Sequence, residues 1–320
     1  MTASAPTTTR AFGVDLITFF DPGFWGLSDG EELAALAAAE PRRVWDTILD
    51  ALREAGVSEF EMTFAPADRQ TAIAAYGSPQ AFAAELADRG LSVVSAYFAD
   101  IEHAADVTDP ATRRAILDAA ETESAFLAEI GASFLVAGLP MRRNNPEGDG
   151  LAPVDLAAAL PVAAIANEVG AIAARRGVTL ALHTESHSVF WTPRDVDLFL
   201  LLTDPFLVSF CPDTGHIVLG GGDPVQLVLR HRERVVIAHW KDATGAFRER
   251  ALVDGEIFGR HRPYFRPAGQ GIVDWPAFAA ALAEIGYEGG ILLELDAASD
   301  PVGQLVAART YLEDATASIL

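Results

Sequence analysis

Short apolar runs alternate with longer amphipathic stretches along the chain. "FGVDLITFF" (12–20), "EFEMTFA" (59–65), "LSVVSAYF" (91–98) and "SFLVAGLP" (133–140) read as strands, as do "VTLALHTE" (178–185), "LVSFCPD" (207–213), "VVIAHWKD" (235–242) and "GGILLELD" (289–296). Between them fall helical patterns at 41–56, 78–90, 109–131, 155–177, 192–203, 223–234, 275–286 and 301–315, several with Pro near the start and Gly at the end. The strand runs are almost continuously apolar. Strands buried on both faces by helices have that composition. Eight strand–helix units without an obvious linker predict a single α/β domain, a (β/α)8 TIM barrel over residues 11–320. An open doubly wound sheet is the alternative. "TFFDPGFWG" after the first strand lacks the glycine fingerprint of dinucleotide folds. Residues 1–10, "MTASAPTTTR", read as a flexible tail without the apolar core of a signal peptide. A long insert is expected at about 246–268.

Charge narrows the partners. The formal net charge is −22. That repels nucleic acid and anionic membranes, which need clustered basic side chains. No run of about 18 uncharged apolar residues is evident, so no membrane span is expected. The single cysteine, Cys211, excludes an intramolecular disulfide and suggests a cytoplasmic setting.

Chemistry in such a barrel sits at the C-terminal ends of the strands. Strands five to eight end in "LHTESH", "CPDTGH", "AHWKD" and "LLELD". These place Glu185, Asp213, His239 and Glu294 at one mouth, a mixed oxygen–nitrogen set suited to a divalent cation. Buried carboxylates are costly unless paired or bound to metal. Lys241 is the only lysine in the chain. It shares strand parity with His239, so it is expected to face the mouth and stabilise a developing oxyanion. The aromatic stretch containing Phe24 and Trp25 is expected to line the mouth against substrate. The insert carries Arg248, Arg250, Arg260, Arg262 and Arg266, and reads as a lid first and a partner contact second.

"FCPDTGHIVLGGGDPVQLV", "AHWKD", "GQGIVDW" and "ILLELD" resemble the xylose isomerase-like barrel superfamily, strongly over 178–296. Within it the pattern looks most like inosose dehydratases and the α subunits of C-glycoside deglycosidases. The resemblance implies one divalent cation, Mn2+ first and Mg2+ or Co2+ next, held by Glu185, Asp213, His239 and Glu294. It implies His216 near metal or substrate, and His187 is assigned to substrate as well. At strand five His183 stands where the ketose epimerases have their glutamate, with Glu185 two residues on. Either Glu185 ligates and His183 is free to act as base, or His183 itself ligates. The working assignment makes His183 the base. The expected activity is a metal-dependent lyase on a keto-sugar, 3-oxo-glycoside or keto-cyclitol, acting through proton removal next to a ketone and β-elimination. A sugar isomerase or epimerase is the alternative. A DNA-directed endonuclease is disfavoured by the charge and the small histidine supply, and a non-catalytic sugar-binding barrel by the intact ligand set. A small partner subunit or a homo-oligomer is a further expectation.

Overall fold

A computed structural model describes residues 10–317 and 319, apart from 147 and 149. The expected tail lies outside these residues except for Arg10, whose guanidinium donates to the Gly289 carbonyl at 2.6 Å and to that of Tyr287. The strands are β1 (Phe12–Asp15), β2 (Glu59–Met62), β3 (Ser92–Phe98), β4 (Phe134–Ala137), β5 (Thr179–His183), β6 (Val208–Cys211), β7 (His239–Trp240), β8 (Asp242–Ala243), β9 (Phe265–Arg266) and β10 (Ile291–Leu293). Eight of them form one parallel sheet in the order β6-β5-β4-β3-β2-β1-β10-β7. Parallel bridges Phe210↔Val235 and Asp213↔His239 join its two edges and close the barrel. The expected (β/α)8 TIM barrel is therefore the fold, and its seam runs through two of the expected site residues.

Two apolar layers hold it. Val136, Ala181, Cys211, Ile237 and Leu292 fill the barrel interior. The larger core lies between strands and helices, with Trp45, Phe60, Phe82, Phe210, Trp240 and Trp275 fully buried. Helix Leu156–Arg175 has a mean hydropathy of 1.7 and is the one helix, among the described residues, long and apolar enough to cross a membrane. Half of it is buried against β5, β6 and two neighbouring helices, which accounts for its apolarity.

Two strands differ from their sequence patterns. "FGVDLITFF" stops at Asp15, whose carboxylate accepts from Ile17 N at 2.8 Å and caps a 3-10 turn over Leu16–Phe19. "VVIAHWKD" divides at Lys241. His239–Trp240 stays in the barrel, while Asp242–Ala243 leaves it to pair antiparallel with Phe265–Arg266 of the insert. Buried Asp242 fixes the far end of that excursion by accepting from Gly269 N (2.9 Å), Val273 N (3.1 Å) and Trp275 Nε1 (3.0 Å). A Cβ on Gly271 would lie 2.1 Å from Asp242 Oδ1, so the "GQG" turn needs glycine there.

Candidate metal centre and cavity

At the C-terminal ends of the strands, single ligand atoms of His183, Asp213, His239 and Glu294 lie within 4.8 Å of one another, all buried. Buried polar atoms are normally hydrogen-bonded. Here both nitrogens of His183 and of His239, Asp213 Oδ2 and Glu294 Oε2 have no hydrogen-bond partner among the described residues. His239 Nδ1 is 2.6 Å from Glu294 Oε2, yet off the line of a hydrogen bond. Lone pairs that converge without satisfying each other fit a shared cation.

The opposite atom of each carboxylate is held. Asp213 Oδ1 accepts from His216 N at 2.8 Å as the cap of helix Thr214–Leu219. Glu294 Oε1 accepts from Lys241 Nζ. Each carboxylate thus has one oxygen fixed and one presented. "DTGH" builds this corner residue by residue. Thr214 Oγ1 donates to the Lys241 carbonyl at 2.5 Å and accepts from its N–H at 3.1 Å. Gly215 leaves room for the lysine stem, since a Cβ there would lie 2.7 Å from Lys241 Cγ. His216 Nε2 is 3.0 Å from Lys241 Nζ. Its Nδ1 accepts from Ser186 N at 3.0 Å and lies 2.8 Å from Ser186 Oγ and 3.3 Å from Glu185 Oε1.

Electrostatics set the charge states before any cation arrives. Burial pushes His183 down to about 3, with the neighbouring His239 adding to the shift, so the ring is neutral. Burial depresses His216 as well, helped by Lys241. Burial opposes charge on Lys241, but Asp296 (2.9 Å), Glu294, Asp213 and Glu185 outweigh it and hold the ammonium protonated. Burial would raise Glu294; Lys241 and His239 outweigh that and keep it ionised. Asp213 is pushed up to about 7 by burial, against the pull of Lys241. Glu185 is raised by burial and by the charge of Glu102.

The centre opens into a cavity of about 560 Å³, with His183, Glu185, His216, Lys241, Glu294 and Asp296 on its floor. Tyr97, Glu102 and His103 form one wall, and Ile17, Phe20, Thr63 and Phe64 another. The insert covers it with Phe258, Gly259, His261, Arg262 and Phe265. Phe265 lies under the Lys241 ammonium, 4.3 Å from ring centroid to Nζ.

The expected site residues fall into three groups. Asp213, His239, Glu294, Lys241 and His216 stand together at the centre. At strand five β5 offers the His183 ring to the converging group, the second of the two alternatives, whereas Glu185 lies beside it, 3.9 Å from His183 Nδ1. Phe24, Trp25 and His187 are off the cavity wall. Phe24 packs edge-on against Phe19 and Trp25, and Trp25 Nε1 donates to the Phe19 carbonyl at 2.8 Å, because the 3-10 turns carry them outward. His187 stacks on Trp191 and His261, and its Nδ1 is 2.8 Å from His261 Nε2, so it supports a lining residue instead of lining. The pattern reading missed Asp15, Glu61, Glu102, His261 and Asp296. Parity marks two of them: Asp296 lies two residues after Glu294, and Glu61 two after Glu59 in a strand that is otherwise apolar.

A closed parallel barrel with a buried nitrogen–oxygen ligand group at its mouth defines a class of barrels built to hold a divalent cation. The chain belongs to the xylose isomerase-like TIM barrel family, whose sequence model matches residues 49–315. It is similar to the inosose dehydratase of Lacticaseibacillus casei, 31% identical over 148 residues, which are 45% of this chain and 49% of that one. The chain thus spans about half the length of the curated relatives it matches. Among solved structures it is similar to IolI protein with a bound zinc atom, at TM-score 0.71 and 14% identity over 97% of this chain and 99% of that one. It is also similar to L-ribulose 3-epimerase, at TM-score 0.66 and 18% identity over 98% and 96%.

Proposed function

We propose that the protein is a divalent-metal-dependent enzyme that removes the proton next to the carbonyl of a keto-sugar, 3-oxo-glycoside or keto-cyclitol and expels the β substituent. The observation that carries this reading is the set of four buried, unpartnered ligand atoms on the floor of a sugar-sized cavity, beside a buried ammonium. Similarity to inosose dehydratases over about half the chain supports it.

His183, Asp213, His239 and Glu294 would hold the cation. A divalent cation bound there supplies Lewis-acid polarisation of the substrate carbonyl. Lys241 faces the same cavity, fixed by Glu294, Asp296 and His216, and stabilises the oxygen on which negative charge grows. Glu185 takes the α proton: it lines the cavity, stands beside the ligands and lies 3.3 Å from His216 Nδ1. The C–H electron pair becomes the new double bond as the Cβ–leaving-group bond breaks. Glu102, also on the cavity wall with the Tyr97 hydroxyl donating to its Oε2 at 2.6 Å, returns a proton to the leaving group. That second carboxyl also suits an epimerase, where it would return a proton to the carbon.

Metal-reconstituted assays on a panel of inososes, 3-oxo-glycosides and free ketoses test this reading. It predicts release of water or aglycone, with solvent hydrogen entering the α carbon of substrate. Interconversion of ketoses without any leaving group would assign the epimerase reading instead.

A further inference from the structure

Beneath the ligand group, Asp15, Glu61 and His239 form a second buried cluster, their ligand atoms also within 4.8 Å. Glu61 is fully buried on β2. Its Oε2 accepts from Ser95 Oγ of β3 at 2.6 Å, which fixes the carboxylate from below. Its Oε1 has no hydrogen bond among the described residues and lies 3.2 Å from His239 Nε2. The other ring nitrogen, Nδ1, is the one that faces Glu294 and Asp213, at 2.6 and 4.0 Å.

An imidazole between two carboxylates has its two nitrogens assigned by what each meets. A neutral ring binds a cation through one nitrogen and carries its proton on the other. A carboxylate behind a ligating histidine fixes that choice and raises the basicity of the ligating atom. The alternative, a second cation between Asp15 and Glu61, would require both nitrogens of His239 to ligate and the ring to lose both protons. The simpler arrangement also follows the pattern of its neighbours. His216 N–H holds one atom of Asp213 and Lys241 holds one atom of Glu294, each leaving the other atom free. Glu61 does the same for His239. Resting on the proposed metal centre, the geometry points to Glu61 as the positioning residue that takes the Nε2 proton of His239 and commits Nδ1 to the cation, with Ser95 as its anchor.

Titration of the metal-free protein with Co2+, followed by the visible absorption of the bound ion, tests this. The wild type is expected to bind one equivalent, and Glu61→Leu to weaken that binding about 10- to 100-fold. Glu61→Gln and Ser95→Ala, which disturb packing less, are expected to fall between. Far-UV circular dichroism of each variant establishes that it is folded. A spectroscopic signature separates orientation from packing: in the Zn2+-loaded wild type, nitrogen NMR of labelled histidines should show His239 with a protonated Nε2, and in Glu61→Leu that signal should be lost or exchange freely. Unchanged Co2+ affinity and an unchanged Nε2 signal in Glu61→Leu overturn the role of Glu61 while leaving the metal centre standing. Two equivalents in the wild type, one of them lost in Glu61→Leu, assign the lower cluster to a second ion and overturn it too. A wild type that binds no Co2+ overturns the metal centre itself, and this inference with it.

Discussion

Lys241 is surrounded by four acidic side chains that keep it charged although it is buried. It is also threaded past a glycine that cannot be anything larger. These two facts yield a paired prediction. On the proposed mechanism Lys241→Met removes the ammonium that answers the developing oxyanion, and kcat should fall on the order of 10²- to 10³-fold, as for other single charge-stabilising donors. Gly215→Ala leaves the lysine in place but pushes its stem, because the new methyl would sit 2.7–2.8 Å from Cγ and Cδ. Its kcat should fall in the same direction with KM little changed. Lys241→Arg should not rescue, since a planar guanidinium does not reproduce a compact ammonium wedged between Phe265 and Glu294. Steady-state kinetics on the three variants check this, and wild-type kcat in Lys241→Met would remove Lys241 from the chemistry. At this scale the sequence was only partly readable. The lone lysine and "DTGH" stood out as unusual residues at strand ends. Which of His183 and Glu185 faces the ligand group was not readable, because it depends on where β5 stops: the strand ends at His183, and Glu185 follows in irregular backbone just before a turn at 186–187.

The insert is the element that closes the cavity, and a histidine stack holds its short helix Ile257–His261 to the barrel. His187 and His261 lie ring on ring at 4.7 Å with one N···N hydrogen bond, which requires at least one neutral ring. Burial pushes His187 down to about 4, with Arg142 and Arg260 adding to it. Burial and the His187 charge push His261 down to about 3. Both are depressed from an ordinary value near 6.5, so the unfolded or detached state binds more protons between these limits. The stack's contribution is therefore complete above about pH 6.5 and is lost progressively as pH falls towards about 4. Hydrogen exchange over 257–265, corrected for intrinsic rates, should be faster at about pH 5 than at about pH 7.5. His261→Gln should abolish that difference; a difference that survives the substitution would place the pH sensor elsewhere. The insert was visible in sequence as an overlong connection rich in arginine. Its attachment was not, because it rests on Asp242 accepting from three donors about 30 residues away. Helices Gly30–Ala39 and Arg69–Tyr76 were likewise hidden, being short additions to connections with no strand of their own to mark them.

For the whole molecule, the eight-unit order, the parallel closure and the clustering of polar residues on the last four strands were readable, because each strand–helix unit carries its own local pattern. The lower cluster of Asp15 and Glu61 was not, since strands from opposite ends of the sequence become neighbours only when β1 pairs with β2 and β10. The barrel spends several buried charges on one small volume, and the account holds that a single cation resolves them through His183, Asp213, His239 and Glu294, with Glu185 left free as base. Metal content of purified, dialysed protein after loading with Mn2+ tests that claim most directly. The wild type and Glu185→Gln should each retain close to one ion per chain, Glu185→Gln losing turnover but not metal, and His183→Ala should retain almost none while keeping the far-UV circular dichroism of the folded barrel. Full occupancy in His183→Ala together with loss of the ion from Glu185→Gln would contradict the account and return the ligand's place to the glutamate.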